Sequence, residues 1–264
     1  MSNAKLSPIF ASVFPSPMPF RFCFPMLAFI GWLTLAAQPV GAQSLAQVLA
    51  RFRQVCDAQG HWQRSSSYVE VTEELWGTHR ARATLFAKRP LTMKRVLVRE
   101  GTEYVFCYDQ NNNWKLDPTV SNQPVKMKRS EERIGYRYFS SLDMLFNDSL
   151  MALSQLVGLV EFRGVKCYAI CTPEPDGSQV YSYLRAKNYQ PFATQLVDRK
   201  NQGDLVKIYQ SFQGFADGVV LPVVAEYWAD GKFIGRTRTV DFRLNETLDP
   251  SVFVPRPPGP GQQN

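Results

Sequence analysis

Two hydrophobic rhythms divide the chain. Leu45, Val48, Leu49, Phe52, Val55 and Cys56 recur at helical spacing behind Ser44, whose hydroxyl suits an N-cap, while Arg51, Arg53 and Asp57 fall on the other side. This predicts an amphipathic helix. From Ser67 onward the texture changes to short runs rich in Val, Tyr, Phe and Thr, broken by Gly, Asn, Asp and Pro. The runs fall at about 67–76, 80–88, 92–99, 103–108, 113–117, 158–163, 165–172, 178–186, 192–199, 204–213, 219–229 and 232–244. Glu100-Gly101, Asp109 to Asn113, Pro175-Asp176-Gly177, Asn201-Gln202-Gly203 and Asp230-Gly231 read as hairpin turns, so neighbouring strands should be antiparallel. One helical island interrupts them. Leu142, Leu145, Phe146, Leu150, Leu153, Leu156 and Val157 keep a 3.6-residue rhythm from about Ser141 to Val157.

Strands in this number with only two helices cannot form a helix-layered parallel sheet. The expected fold class is mainly β (α+β): a single curved antiparallel sheet forming an unclosed half-barrel of about eleven strands, covered by an N-terminal helix and an internal helical lid segment. In the last strand Val240, Phe242 and Leu244 share one face, against Asp241 and Arg243. Tyr104 to Tyr108 is apolar on both faces, and such a strand must be covered twice or line something hydrophobic.

The first 42 residues read as an address rather than as part of the fold. Arg21 precedes an apolar run, Phe22 to Ala37, too short for a confident membrane span, and Gln38 to Ala42 offers a small-residue cleavage site before Gln43. Translation from Met18 would give a more ordinary signal. No cysteine follows the cleavage point, so a lipid anchor is not expected, and the mature chain is expected to be exported. Residues 43–254 are expected to form one domain, and 255–264, rich in Pro, Gly and Gln, an extended or disordered tail. Removing Lys5 and Arg21 takes the formal charge from +7 to +5, with no Lys/Arg block to mark a nucleic-acid surface.

Cys56, Cys107, Cys167 and Cys171 remain after cleavage, an even number that makes disulfides plausible in an oxidising compartment, with buried free thiols equally admissible. Cys167 and Cys171 lie four apart in one strand, roughly 13 Å between α-carbons, beyond bridging range, so either would need Cys56 or Cys107. With no C-x-x-C pair and only His61 and His79, no metal is expected, and no cofactor. G-x-S-x-G, the P-loop, the dinucleotide glycine pattern and the calcium loop do not occur. Glu73-Glu74 and Glu131-Glu132 read as solvated, and both histidines as surface or strand-edge residues. Binding or carriage is therefore favoured over catalysis.

Leu85 to Met93, with Lys88-Arg89-Pro90 at its centre, resembles the Lys-Arg-Pro segment of the LolA family of lipoprotein carriers. As in that family, a strand (Val96-Leu97-Val98), a turn (Glu100-Gly101) and an aromatic strand (Tyr104 to Tyr108) follow. The resemblance continues through Leu142 to Val157, the hairpin Leu184 to Phe212 and the ending Phe253 to Gly259. The strand order after Leu205 is closer to a poorly characterised LolA-like branch than to the carriers themselves. The wider superfamily includes the acceptor LolB, against which the missing anchor cysteine argues, and the stress regulator RseB.

The resemblance implies a periplasmic, monomeric carrier. It would hold the acyl chains of lipoproteins, or another lipid, in a hydrophobic cavity, load from an inner-membrane lipoprotein-releasing transporter and deliver to an outer-membrane acceptor. It also implies that Arg89 latches the lid by bonding helix carbonyls. Met93 stands where the family usually has an aromatic. Met93, Leu97, Phe106, Leu145, Phe146, Leu153 and Phe242 are the candidate cavity lining, chosen for apolar character and facing. A lipid-sensing regulator like RseB is the alternative, disfavoured by the absence of its extra C-terminal domain; a hydrolase on the same barrel is a third reading.

Overall fold

The computed structural model describes residues 43–89, 92–109, 113–127, 141–174, 177–198, 203–215 and 218–255. The expected signal segment and nearly all of the expected tail lie outside them, as does Glu131-Glu132. Helix α1 (Leu45–Cys56) opens on a capping box in which Ser44 and Gln47 exchange side-chain and backbone hydrogen bonds, and it buries Val48, Leu49, Phe52 and Cys56. A single turn, α2 (His61–Arg64), follows and buries Trp62; the sequence rhythm gave no sign of it.

The strands are β1 (Ser67–Trp76), β2 (His79–Lys88), β3 (Thr92–Arg99), β4 (Thr102–Tyr108), β5 (Trp114–Asp117), β6 (Ser121–Lys126), β7 (Gln155–Phe162), β8 (Val165–Pro173), β9 (Gln179–Arg185), β10 (Pro191–Asp198), β11 (Gly203–Gly214), β12 (Val220–Ala229) and β13 (Lys232–Leu244). They form one antiparallel sheet of thirteen strands, not eleven, in the order β6-β5-β4-β3-β2-β1-β13-β12-β11-β10-β9-β8-β7. The strand that sequence missed outright is β6, Ser121-Asn122-Gln123-Pro124-Val125-Lys126. It is polar and contains a proline, which is tolerated because β6 is an edge. The turns Glu100-Gly101 and Asp230-Gly231 have positive φ at both residues (52° and 79°, 48° and 76°), the geometry of two-residue hairpins.

Two meanders, β1–β6 and β7–β13, are thus joined by the pairing of β1 with β13. Strands β4 and β8 lie nine steps apart, roughly 40 Å on a flat sheet, yet Tyr104, Phe106 and Tyr108 share one core cluster with Ile170. The sheet is therefore strongly curled, with its edges β6 and β7 unpaired to each other. These edges are consecutive in sequence, so the chain between them runs from one edge of the sheet to the other. The crossing carries α3 (Ser141–Phe146) and α4 (Asp148–Met151), which bury Met144, Leu145, Phe146 and Met151 against the concave face.

The helical island is shorter than its rhythm suggested. Asn147 separates the two short helices, the peptide N–H of Met151 donates to its carbonyl, and from Gln155 the chain is strand. The supposed periodicity at Leu156 and Val157 belongs to β7. In β13 a bulge at Val240, opposite Val71 and Thr72, breaks the simple alternation. Phe242 is buried on the concave face, whereas Val240 points out at 39% exposure. Strand β4 is covered twice, as a two-faced apolar strand requires. Tyr104, Phe106 and Tyr108 enter the concave core, and Val105 and Cys107 pack on the convex side with Trp114 and Phe253 of the 3₁₀ turn Pro250–Phe253.

Candidate functional site

Arg89 leaves the end of β2 at the rim where α2 and α3 meet. Its guanidinium donates through Nη1 to the carbonyls of Trp62, of Ser65 (3.1 Å) and of Gln63 (3.4 Å), and through Nη2 to Asp143 Oδ1 at 2.8 Å. It also lies over the Trp62 ring, 5.4 Å from the centroid. The planar fork turns Nη1, whose two N–H groups are shared among the three carbonyls, and Nη2 to different partners at once, a geometry that the single ammonium of a lysine lacks. Asp143, on α3, is the hub that sequence reasoning missed. Its Oδ1 also accepts from Trp62 Nε1 at 3.0 Å, and its carboxylate bonds the Tyr68 hydroxyl. Burial, with this carboxylate beside it, pushes the Tyr68 phenol well above its ordinary pKa. A second tie, Arg53 to Asp148 Oδ1 (2.6 Å) and to the Leu145 carbonyl (3.3 Å), pins α1 to the crossing segment. Arg53 and Asp57 therefore do not simply face water; Asp57 is buried and accepts the Gln63 peptide N–H.

Beneath the rim lies a plug of rings. Trp62 stacks on Phe242 at 5.1 Å, Phe146 meets Trp62 at 5.5 Å and Phe52 at 4.8 Å, and Phe215 closes edge-on against Phe242. Met93, Leu97, Phe106, Leu145, Phe146 and Phe242 all belong to this one buried cluster. Leu153 does not: it stands 63% exposed in the turn between α4 and β7, because the helix ends before reaching it.

A crevice of about 50 Å³ opens beside the Arg89–Asp143 pair, between Trp62, Tyr68, Leu142, Asp143, Tyr209 and Phe242. An apolar cavity of about 150 Å³ takes a single benzene, so the crevice holds no acyl chain. Among the described residues, the side chains expected to line a cavity, Leu153 apart, pack in the same cluster as the rings of the plug.

Further along the concave face the lining turns polar. Glu74 and Arg95 form a buried ion pair, and Glu74 also accepts from Thr72 Oγ1 and Trp76 Nε1, both at 2.9 Å. Burial alone would raise this carboxyl; Arg95 and the two further donors outweigh it and hold it below the ordinary value. Glu74 is thus no solvated half of a carboxylate pair. Lys207 sits 5.3 Å and 5.5 Å from the rings of Tyr209 and Tyr227. Burial disfavours its charge, but the two phenol oxygens and Glu70 outweigh it and raise its pKa.

The thiols are free and lie on different faces: Cys56 in the concave core, Cys107 and Cys167 in separate convex clusters. Burial pushes them up to about 12, 12 and 11 respectively. His61 is half-buried and bonds Gln59, and His79 is exposed and bonds Glu100. Among the described residues no three His, Cys, Asp or Glu side chains group as metal ligands, and no helix is long and apolar enough to cross a membrane.

The geometry defines a class: an unclosed antiparallel half-barrel whose concave face is capped by helices tied across its rim. Among solved structures this is the LolA-like fold. A LolA superfamily protein of Nitrosomonas europaea superposes with a TM-score of 0.55 at 12% identity over 81% of this chain and 98% of its own. An outer membrane lipoprotein-sorting protein domain of Vibrio parahaemolyticus gives 0.53 at 12% identity over 78% and 94%. A DUF1329 family protein of Desulfovibrio piger gives 0.51 at 14% identity over 78% and 94%. No protein-family model matches the sequence, and no curated protein matches it.

Proposed function

We propose that the chain is a periplasmic carrier that shelters the acyl chains of a lipoprotein, or of another lipid, between the concave face and the helices, moving them from the inner to the outer membrane. The observation that carries this reading is the latch. Arg89 and Asp143 tie α3 to α2 over a plug made only of side chains, so a reversible contact stands between solvent and an apolar surface. Cargo entry requires the latch to open and Phe146, Trp62 and Phe242 to move apart. Each methylene transferred contributes roughly 0.8 kcal/mol, so a few offset one partly buried ion pair. An inner-membrane lipoprotein-releasing transporter would load the carrier, and an outer-membrane acceptor of higher affinity would empty it.

Native mass spectrometry of the exported protein tests the reading: intact acylated cargo is expected, whereas cleaved lipid products, or an empty protein that takes up no fluorescent acyl probe, would reject it. Arg89→Leu should retain cargo in a vesicle-to-vesicle transfer assay. Unchanged release would remove the latch from the mechanism.

A further inference from the structure

A second recess lies outside the helix-capped interior, on the same rim as Arg89. The β7–β8 turn, the β9–β10 turn and the bent end of β11 enclose a cleft of about 780 Å³, within the roughly 300–1,000 Å³ usual for small-molecule sites. Its origin is a gap in the sheet. Pairing of β10 with β11 ends at Ala193 and Ile208, while β11 runs on to Gly214 paired only with β12. Ser211 takes a φ of 49°, a left-handed conformation uncommon for any residue but glycine, and bends the strand there. Pro191 opens β10 without an N–H to bridge the gap.

Lys166, Arg185 and Lys187 line this cleft, with amide and hydroxyl groups from Asn188, Gln190, Gln210 and Ser211 and with no carboxylate. Arg185 is oriented by stacking on Phe192, 4.5 Å from its ring centroid. None of the three cations forms an ion pair among the described residues, although Asp143 and Asp148 neutralise Arg89 and Arg53. Phe212, at the inner wall, packs behind the cleft against the Tyr209 and Tyr227 cluster, which also receives Leu142 of α3. The cleft is therefore cationic at its mouth and apolar toward the concave face.

We infer that this cleft receives the phosphate-bearing headgroup of an anionic lipid and so sets the latch-bearing rim against a membrane surface. Lysine and arginine bind phosphate by charge and by fixed donors, and the amides supply neutral hydrogen bonds to its ester oxygens. A lipid, rather than a soluble phosphate, fits the shared rim and the apolar wall at Phe212. The inference is independent of acyl carriage, since headgroup binding does not require the interior to open.

The test is co-sedimentation of the full chain with vesicles of phosphatidylcholine and phosphatidylglycerol, against vesicles of phosphatidylcholine alone. Each basic residue near an anionic surface adds about fivefold to affinity, so K166Q/K187Q should bind about 25-fold more weakly. R80Q/R236Q, with the same charge change on exposed convex positions, should bind as the unaltered chain does. Uptake of a fluorescent acyl probe, measured in parallel, reads the carrier function separately. Equal weakening in both double variants would reduce the effect to net charge and overturn the inference. So would undiminished binding by K166Q/K187Q, or saturation of the cleft by soluble glycerol phosphate with no vesicle binding.

Discussion

Glu74 shows how one buried charge can govern stability far from Arg89. Its side chain is 3% exposed and that of Arg95 is 7%, so neither can exchange its partner for water. Glu74→Gln leaves the guanidinium without its counter-charge and should cost about 3–5 kcal/mol in urea unfolding, whereas a paired apolar replacement, E74L/R95M, should cost far less. The pH dependence follows from the direction of the shift. A carboxyl held low in the folded state stabilises it at pH values above the unfolded pKa of about 4.3, and that stabilisation drains away as pH falls through the lower folded value. Unfolding midpoints should therefore drop between neutral pH and pH below about 4, and E74L/R95M should show a shallower drop by this one group's share. Nothing in the sequence distinguishes Glu74 from Glu73, because Arg95 is 21 residues away on another strand. Arg89 was legible through a resemblance and Asp143 was not, for the same reason: a hub is defined by what several elements bring to it. The thiols follow local burial instead. With pKa values near 11 to 12, Cys56, Cys107 and Cys167 should resist a thiol reagent in the folded protein, while half-buried Cys171 reacts first; four equal rates would contradict the packing.

Elements were read well where one period ran uninterrupted and poorly where two met. Helix α1 and the long strands β1 and β2 keep a single rhythm, whereas the stretch from Ser141 to Phe162 passes from helix to strand while remaining rich in Leu and Val. A 3.6-residue template and a two-residue template both fit such a run, and Leu153, assigned to the interior on the first, is exposed in the turn between them. The Val240 bulge inverts facing in the same silent way, since an extra residue leaves no mark on composition. The pairing of β1 with β13 has its own local requirement at Gly235. A Cβ there would lie 2.3 Å from the Trp76 ring and 2.8 Å from the Leu75 carbonyl oxygen. Trp76 is held by its bond to Glu74 and its packing on Tyr227 at 4.8 Å, so it cannot swing aside without breaking both. Gly235→Ala should destabilise the protein by about 1–3 kcal/mol, with the near-ultraviolet tryptophan signal altered. Gly214→Ala, where a Cβ meets nothing within 4 Å, is the control expected to be nearly neutral.

At the scale of the whole molecule, one topological fact makes the interior conditional. Consecutive strands β6 and β7 occupy opposite edges, so the chain between them crosses from one edge of the sheet to the other, carrying α3 and α4. Met144, Leu145, Phe146 and Met151 of its two helices pack into the concave cluster. Helices α3 and α4 are six and four residues long, too short to be stable by themselves, and they persist through the apolar contacts and the Arg53 and Arg89 ties. The hydrogen-bonded ladder behind them is continuous over thirteen strands. Low local stability is therefore concentrated in these short helices, and the proposed gating would draw on it. Hydrogen exchange resolves the consequence. In the cargo-free protein, the peptide N–H groups of α3 and α2 should exchange faster than those of β1, β2 and β13, and Arg89→Leu should accelerate the helices alone. An acyl ligand should reproduce that acceleration in the unaltered protein, because Phe146 and Trp62 must leave the plug to admit it. If instead the ligand binds with uniform protection of α2 and α3, the acyl chain lies elsewhere and the helices are a fixed roof. If Arg89→Leu accelerates the central strands as much as the helices, Arg89 supports the fold as a whole and does not govern entry.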